Sequence, residues 1–97
     1  MDLTITQDTG TLALVGSIDL VSREDFLKAG LAVLDRDNAL ALDMSGVDFM
    51  DSMGIGALVE IARHAEKQDA SFTISAVSPR VSRVLEVTGL GDAWRTP

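Results

Sequence analysis

The chain contains no cysteine, so disulfide bonds, thiolate metal ligands and thiol nucleophiles are all excluded and its stability must come from packing. It also lacks any run of the roughly 18 apolar residues that a membrane-spanning helix needs. The first segment, MDLTITQDTG, has no basic flank and no long apolar run, so it does not resemble a secretory signal. We therefore expect a cytoplasmic protein that does not associate with membranes.

Positive charge is scarce as well, since fifteen Asp and Glu residues against eight Lys and Arg give a net charge of -7. This sign opposes binding to nucleic acid or to anionic lipid and favours a protein partner with a basic or mixed surface. Acidity that only keeps the chain soluble is the alternative explanation. The length of 97 residues and the hydrophobic content of 46% fit one domain over residues 1–97.

The first third of the chain predicts a β-hairpin followed by a helix. The turn-forming Asp8-Thr9-Gly10 separates a short apolar segment from a stronger one, Leu12 to Ile18. Ser22 and Asp25 then resemble a capping box, and apolar residues recur at helical spacing after them. We expect this first helix over about residues 23 to 36.

The next segment predicts a buried central strand. Ala39 to Met44 is apolar on both faces except for Asp43, as expected of a strand covered from two sides. Residues 45 to 51 are predicted to form the loop after it. Ligands and partners of such sheets meet the loops at the carboxyl ends of parallel strands, so this loop is the first place to look for a functional site.

The remaining segments complete an α/β pattern. A helix is predicted from Met53 to about Lys67, a strand follows around Ile74, and Ser78-Pro79 supplies the cap of a third helix. Thr88-Gly89-Leu90 is expected to end that helix, with Trp94 anchoring the tail. The order β-β-α-β-α-β-α calls for a mixed sheet with right-handed crossovers and packed helices.

Ser52 lies where the central strand and its loop give way to the second helix. A hydroxyl there can cap the helix, and the same unpaired N–H groups and dipole also favour an added phosphate. Phe49, Met50 and Met53 beside it are either core residues or, if exposed, an apolar patch that adapts to a partner. The residues alone leave capping and phosphorylation both open.

Three segments resemble the STAS domain family. Gly16-Ser17-Ile18-Asp19 is similar to the G-E-L-D sequence after the second strand, and Asp51-Ser52-Met53-Gly54 is similar to the D-S-x-G phosphoacceptor motif. Ser78-Pro79 through Thr88-Gly89-Leu90 resembles the ending common in anti-sigma factor antagonists. The three segments occur in the family's order and span nearly the whole chain, so a single STAS domain is expected.

The resemblance implies a cycle in which the antagonist binds an anti-sigma factor that is also a serine kinase and so frees a sigma factor. Phosphorylation of the matching serine, Ser52, blocks this binding, and a separate serine phosphatase restores it. Ser17 stands where the family often has glutamate, which removes a charge near Asp19 and leaves the partner's identity open. Oligomeric state is also left open. The implied partner-contact residues are Asp19, Asp48, Met50, Asp51, Met53 and Gly54.

Other functions have weaker support in the sequence. Asp43, Asp48 and Asp51 form an acidic run that could belong to a magnesium site or a receiver domain, but no adjacent acid pair follows an early strand and no lysine lies near the end of a late one. The single histidine, His64, is expected to be solvated, and no carboxylate is paired with a nucleophile, so we expect no enzyme, metal or cofactor. The alternative is a STAS subunit of a lipid or anion transport complex, in which the serine is never phosphorylated.

Overall fold

Four strands and three helices alternate along residues 2–88, the part of the chain that the structure, a computed structural model, describes. The predicted order of elements is confirmed. Of the predicted C-terminal features, Gly89, Leu90 and Trp94 lie outside the described residues. None of the helices in residues 2–88 is long and apolar enough to cross a membrane. The elements are β1 (Leu3–Asp8), β2 (Thr11–Ile18), α1 (Arg23–Asp37), β3 (Ala39–Met50), α2 (Ser52–Lys67), β4 (Ser71–Val77) and α3 (Pro79–Thr88).

The strands form one mixed sheet in the order β1-β2-β3-β4. Strands β1 and β2 are an antiparallel hairpin, and Gly10 in its turn has a φ of 63°, which glycine adopts without strain. Strand β2 pairs with β3, and β3 with β4, in parallel. The carboxyl ends of β2 and β3 therefore lie side by side at one end of the sheet.

The core lies on one face of this sheet. Leu12, Leu42 and Ile74 are register partners across β2, β3 and β4, and each is at most 2% exposed. Helices α1, α2 and α3 all contribute apolar side chains to the same buried cluster. The opposite face carries Ala41 and Thr73, which are only half-buried. The prediction that β3 is covered from two sides is therefore wrong, since the helices pack on one face only.

Strand β3 is longer than predicted. Residues 45 to 50, expected in a loop, continue the strand to Met50 because they pair with the end of β2. The strand is irregular at Asp43, whose carboxylate accepts hydrogen bonds from the Ser45 hydroxyl at 2.7 Å and N–H at 3.0 Å. These two donors, the hydroxyl first, lower the pKa of Asp43. Only the first half of β3 pairs with β4, which ends at Val77.

The starts of α1 and α3 differ in how they are capped. The Ser22 side chain makes no cap hydrogen bond, and its hydroxyl donates to the Ser17 carbonyl at 2.7 Å instead, so the predicted capping box is wrong. Ser78 is a cap as predicted, since its hydroxyl accepts the Val81 N–H at 3.2 Å. The same hydroxyl donates to the Val47 carbonyl. This second bond fixes the start of α3 beside the second half of β3.

Candidate functional site

The carboxyl ends of β2 and β3 bring two predicted site segments together. Ile18 and Met50 are register partners at these ends, and the Asp51 N–H donates to the Ile18 carbonyl at 3.3 Å. The turn that leads from β2 into α1 and the start of α2 therefore lie next to each other. We call residues 17–22 and 48–54 together the open end of the domain.

Asp51, and not Ser52, caps helix α2. The Asp51 backbone is extended, with a φ of -100° and a ψ of -173°, as a cap position requires. Its carboxylate accepts the N–H groups of Met53 at 3.0 Å and Gly54 at 3.1 Å. Ser52 is thus the first residue of the helix, and the alternative in which its hydroxyl is the cap is wrong.

The side chain of Ser52 makes no hydrogen bond within the described fold. It is exposed, and its hydroxyl makes no hydrogen bond to any other residue in the described part of the chain. The neighbouring hydroxyl of Ser17, by contrast, is fully buried and donates to the Asp48 carboxylate at 3.2 Å. The Ser52 oxygen is therefore open to a kinase or to a partner surface.

The large apolar residues beside Ser52 divide into a buried and an exposed group. Phe49 is 37% exposed and Met53 is 40% exposed, whereas Met50 is only 5% exposed and belongs to the core. Gly54 is buried as well, and a Cβ placed on it would lie 3.0 Å from the Met50 Cγ. Met50 and Gly54 were predicted to contact a partner. Both are buried and support the surface from beneath, and contact between these two residues and a partner stays a prediction.

Two exposed apolar residues that the sequence prediction missed complete this surface. Leu20 is 68% exposed and Val21 is 86% exposed, both in the turn between β2 and α1. The Asp19 carboxylate accepts the N–H groups of Val21 at 3.0 Å and Ser22 at 3.2 Å, and so holds the turn with both apolar side chains outward. A sequence signal existed, because two adjacent apolar residues follow an aspartate that can close such a turn.

Negative charge surrounds the exposed apolar side chains. Asp19, Asp48 and Asp51 all belong to the open end, and none of them forms an ion pair with a basic side chain in residues 2–88. The N–H groups of Ser22 and then Val21 lower the pKa of Asp19. Asp19 is therefore charged near neutral pH, and the open end offers an acidic and apolar surface.

A groove borders the open end on the side of α3. Its volume is about 780 Å³, and it runs between the second half of β3 and the start of α3. Phe49 and Asp48 line one wall, so the groove and the open end share these two residues. The lining residues are Asp48, Phe49, Ser78, Pro79, Arg80 and Arg83.

The other groups considered from the sequence lie away from this end or form no site. His64 lies 3.3 Å from the Asp35 carboxylate, where α1 and α2 meet, and its side chain is 42% exposed. Within residues 2–88, no three His, Asp or Glu side chains are placed to hold a metal ion. The Asp43 carboxylate accepts hydrogen bonds from Ser45.

One family model matches nearly the whole chain, and known proteins match a large part of it. The family described as "Mlab, STAS domain" matches residues 1–95. An anti-sigma-B factor antagonist of Bacillus subtilis is 28% identical over 79 residues, which cover 81% of this chain and 72% of that protein. An anti-sigma-B factor antagonist of Staphylococcus aureus is 33% identical over 58 residues, which cover 60% of this chain and about half, 54%, of that relative.

Solved structures share the fold. An anti-sigma factor antagonist from Mycobacterium paratuberculosis superposes with a TM-score of 0.80 at 27% identity, covering 99% of this chain and 85% of that one. The anti-sigma factor antagonist SpoIIAA in its unphosphorylated form gives a TM-score of 0.75 at 20% identity, with 98% and 86% covered. SpoIIAA of Bacillus in its phosphorylated form gives 0.70 at 19% identity, with 98% and 89% covered. The two SpoIIAA likenesses show the fold alone.

Proposed function

The chain belongs to the STAS domain family, and from that premise we propose that residues 1–97 form one STAS domain that acts as an anti-sigma factor antagonist. In this proposal the open end binds an anti-sigma factor with serine kinase activity, which then releases its sigma factor. The names of the relatives support the regulatory class. The observation that carries the proposal is the exposed Ser52 hydroxyl, which has no hydrogen-bond partner in residues 2–88 because Asp51 caps the helix.

The surface around the hydroxyl suits a protein partner. Leu20, Val21, Phe49 and Met53 are the exposed large apolar side chains of the open end. Exposed apolar residues that cluster on a soluble domain mark interaction sites, and methionine adapts its shape to a partner. The surrounding carboxylates favour basic side chains on the other protein. An unmodified, neutral Ser52 can be covered by such a surface at little cost.

Phosphorylation of Ser52 changes this balance. A phosphate adds about -1.5 to -2 charges. The N–H groups of Met53 and Gly54, which would otherwise receive it, already bind Asp51. The phosphate would therefore stay in solvent beside the Asp48 and Asp51 carboxylates, and a partner would have to desolvate it. A penalty of about 3 kcal/mol weakens binding more than a hundredfold.

The fold would tolerate the modification, because the Ser52 hydroxyl supports no other described residue. The chain is then a substrate and a binding protein in this proposal, and not the enzyme. A serine phosphatase would remove the phosphate and restore binding. Because the proposed partners act on transcription, the cycle would run in the cytoplasm.

Phosphate mapping tests the proposal directly. The purified chain is incubated with each serine kinase anti-sigma factor of the same genome and with ATP, and the products are mapped by mass spectrometry. We expect a single phosphate at Ser52 and none on Ser52→Ala, which should still bind the kinase. An unphosphorylated chain that co-purifies with a transport ATPase would instead support the alternative of a transport-complex subunit.

A further inference from the structure

The groove between β3 and α3 is built from fixed elements. Strand β4 ends at Val77 and pairs only with the first half of β3. Helix α3 therefore lies beside the second half of β3, where no strand pairs on that side. The Ser78 hydroxyl binds both the Val47 carbonyl and the Val81 N–H, which ties the first turn of α3 to the strand. Phe49 and the arginines of α3 therefore line a space of about 780 Å³ that lies between elements tied together by Ser78.

The groove carries two arginines that no carboxylate of the described residues neutralises, unlike Arg23 and Arg36. Arg23 pairs with Glu60 at 2.9 Å and Arg36 pairs with Asp37 at 2.8 Å. Arg80 and Arg83 are exposed, and neither forms an ion pair with any residue from 2 to 88. Among the lining residues from 2 to 88, Asp48 is the one carboxylate, so two guanidinium groups face one acid in a chain of net charge -7.

We propose that this groove binds an acidic segment of the protein partner that covers the open end. Arg80 and Arg83 stand one helical turn apart, with Cβ atoms about 5–6 Å from each other, and each guanidinium can bind a carboxylate through two hydrogen bonds. Phe49 offers an apolar contact beside them. The segment therefore carries two carboxylates about one helical turn apart and an apolar side chain between them.

The identity of this partner as the anti-sigma factor rests on the proposed function. Asp48 and Phe49 belong to both surfaces, so one partner can cover both. Basic side chains of the partner would meet the acids of the open end, while its acidic segment would meet the groove. Opposite charges at two neighbouring places fix the orientation of the complex, and the groove contact does not depend on the phosphorylation state of Ser52.

A peptide titration tests the groove without the partner. The probe is a short synthetic peptide with two glutamates four residues apart and a leucine between them, followed by the backbone amide signals of the full chain in NMR. We expect saturable shifts at Phe49, Arg80 and Arg83 that disappear in Arg80→Gln/Arg83→Gln. The matched control, Arg63→Gln/Lys67→Gln, removes two cations one turn apart on α2 and should keep the shifts. Absence of groove shifts, or equal shifts with glutamine in place of the peptide's glutamates, would overturn the proposal.

Measuring how variants bind the anti-sigma kinase tests the groove proposal separately from the proposed function. We expect Arg80→Glu/Arg83→Glu to weaken binding about tenfold and the control Arg63→Glu/Lys67→Glu to leave it unchanged. If Ser52→Asp loses binding while Arg80→Glu/Arg83→Glu binds like the wild type, the groove proposal is wrong and the proposed function stands. If no anti-sigma kinase binds but the peptide still shifts the groove signals, the proposed function is wrong and the groove stands as a site for acidic segments.

Discussion

The two ends of the sheet differ in how far their side chains bind one another. At the end where β2, β3 and β4 begin, which we call the closed end, several side chains tie neighbouring elements together. The Asp37 carboxylate accepts the Gly10 N–H at 2.8 Å and pairs with Arg36 at 2.8 Å. The Gln68 amide donates to the Leu34 carbonyl at 2.7 Å and to the Asn38 side chain at 3.0 Å.

The open end completes its structural bonds and still has groups left over. The Asp51 carboxylate caps α2 and the Asp19 carboxylate holds the turn before α1. In this respect the open end resembles the closed end, where Asp37 also accepts a backbone N–H. Beyond these, the Ser52 hydroxyl has no partner in residues 2–88, and Leu20 and Val21 are exposed. Groups that the fold does not need are available for binding. The contrast supports the proposal that the open end is the one that binds a partner.

The largest expected effect is on binding at the open end. Ser52→Asp should reduce affinity for the anti-sigma kinase strongly, and phosphorylation of Ser52 should reduce it more than a hundredfold, or by about 3 kcal/mol. Isothermal titration calorimetry measures both. The matched variant is Ser71→Asp, an exposed serine at the closed end that should leave affinity unchanged. Equal losses from the two substitutions would remove the functional difference between the ends.

Two glycines that stand two residues apart in α2 test how closely the open end is packed. A Cβ on Gly54 would lie 2.5 Å from the Ile18 carbonyl oxygen, whereas a Cβ on Gly56 has nothing within 4 Å. Gly54→Ala should therefore lower the free energy of unfolding by about 1–3 kcal/mol. Gly56→Ala should raise it by about 0.5–1 kcal/mol, because alanine favours the helix. Urea denaturation of both variants measures the difference, and a neutral Gly54→Ala would contradict the close approach.

The cap of α2 gives a smaller effect that separates stability from regulation. Asp51→Ala should lower the free energy of unfolding by about 1 kcal/mol, since the N–H groups of Met53 and Gly54 lose their acceptor. Asp51→Asn keeps an oxygen there and should stay close to the wild type. Ser52→Ala should have no measurable effect on thermal unfolding. A loss in Ser52→Ala as large as that in Asp51→Ala would show that the serine contributes to the cap after all.

The smallest effect is a dependence of stability on acid that both ends share. The pKa of Asp37 is lowered by the Arg36 side chain and then by the Gly10 N–H, and that of Asp19 is lowered by backbone N–H groups, both from an ordinary 3.8. A carboxylate whose pKa is lower in the folded chain than in the unfolded chain stabilises the fold at any pH above its pKa in the unfolded chain. This stabilisation is lost as the pH falls through its pKa in the folded chain. Stability should therefore decrease below about pH 4.

Two variants assign this acid dependence to the ends. Thermal unfolding is measured between about pH 7 and about pH 3 for the wild type, Asp37→Asn and Asp19→Asn. Each variant should be less stable than the wild type at neutral pH and should lose less on acidification. A curve for either variant that runs parallel to that of the wild type would show that its carboxylate does not contribute.

The order of elements was predictable because most segments carry a clear local signal, such as a period, a turn or a cap. Alternating apolar residues indicated the strands of the hairpin, and the apolar stripe indicated helix α2. The predicted cap at Ser78 is confirmed. The second half of β3 was not predictable from its own residues, because Ser45 and Gly46 are poor strand formers. Pairing with the end of β2 makes this half a strand, and such a tertiary contact leaves little local signal.

The site was predictable in position but not in the roles of its residues. Asp51 and Ser52 are both good capping residues, and their sequence does not tell which one stands at the cap. The Asp51 N–H bond to the Ile18 carbonyl decides it, because it holds Asp51 in the extended conformation at the end of the strand. The burial of Met50 and the exposure of Leu20 likewise depend on the pairing of β2 with β3 at their carboxyl ends, which the local sequence does not reveal.

The division of tasks between Asp51 and Ser52 also bears on how such a domain evolves. The aspartate caps the helix, so replacing the residue at position 52 should leave the helix start intact. Under the proposed function, a substitution at position 52 would change regulation and leave the fold unchanged. One codon would then suffice to remove phosphorylation, or to restore it, on the same scaffold.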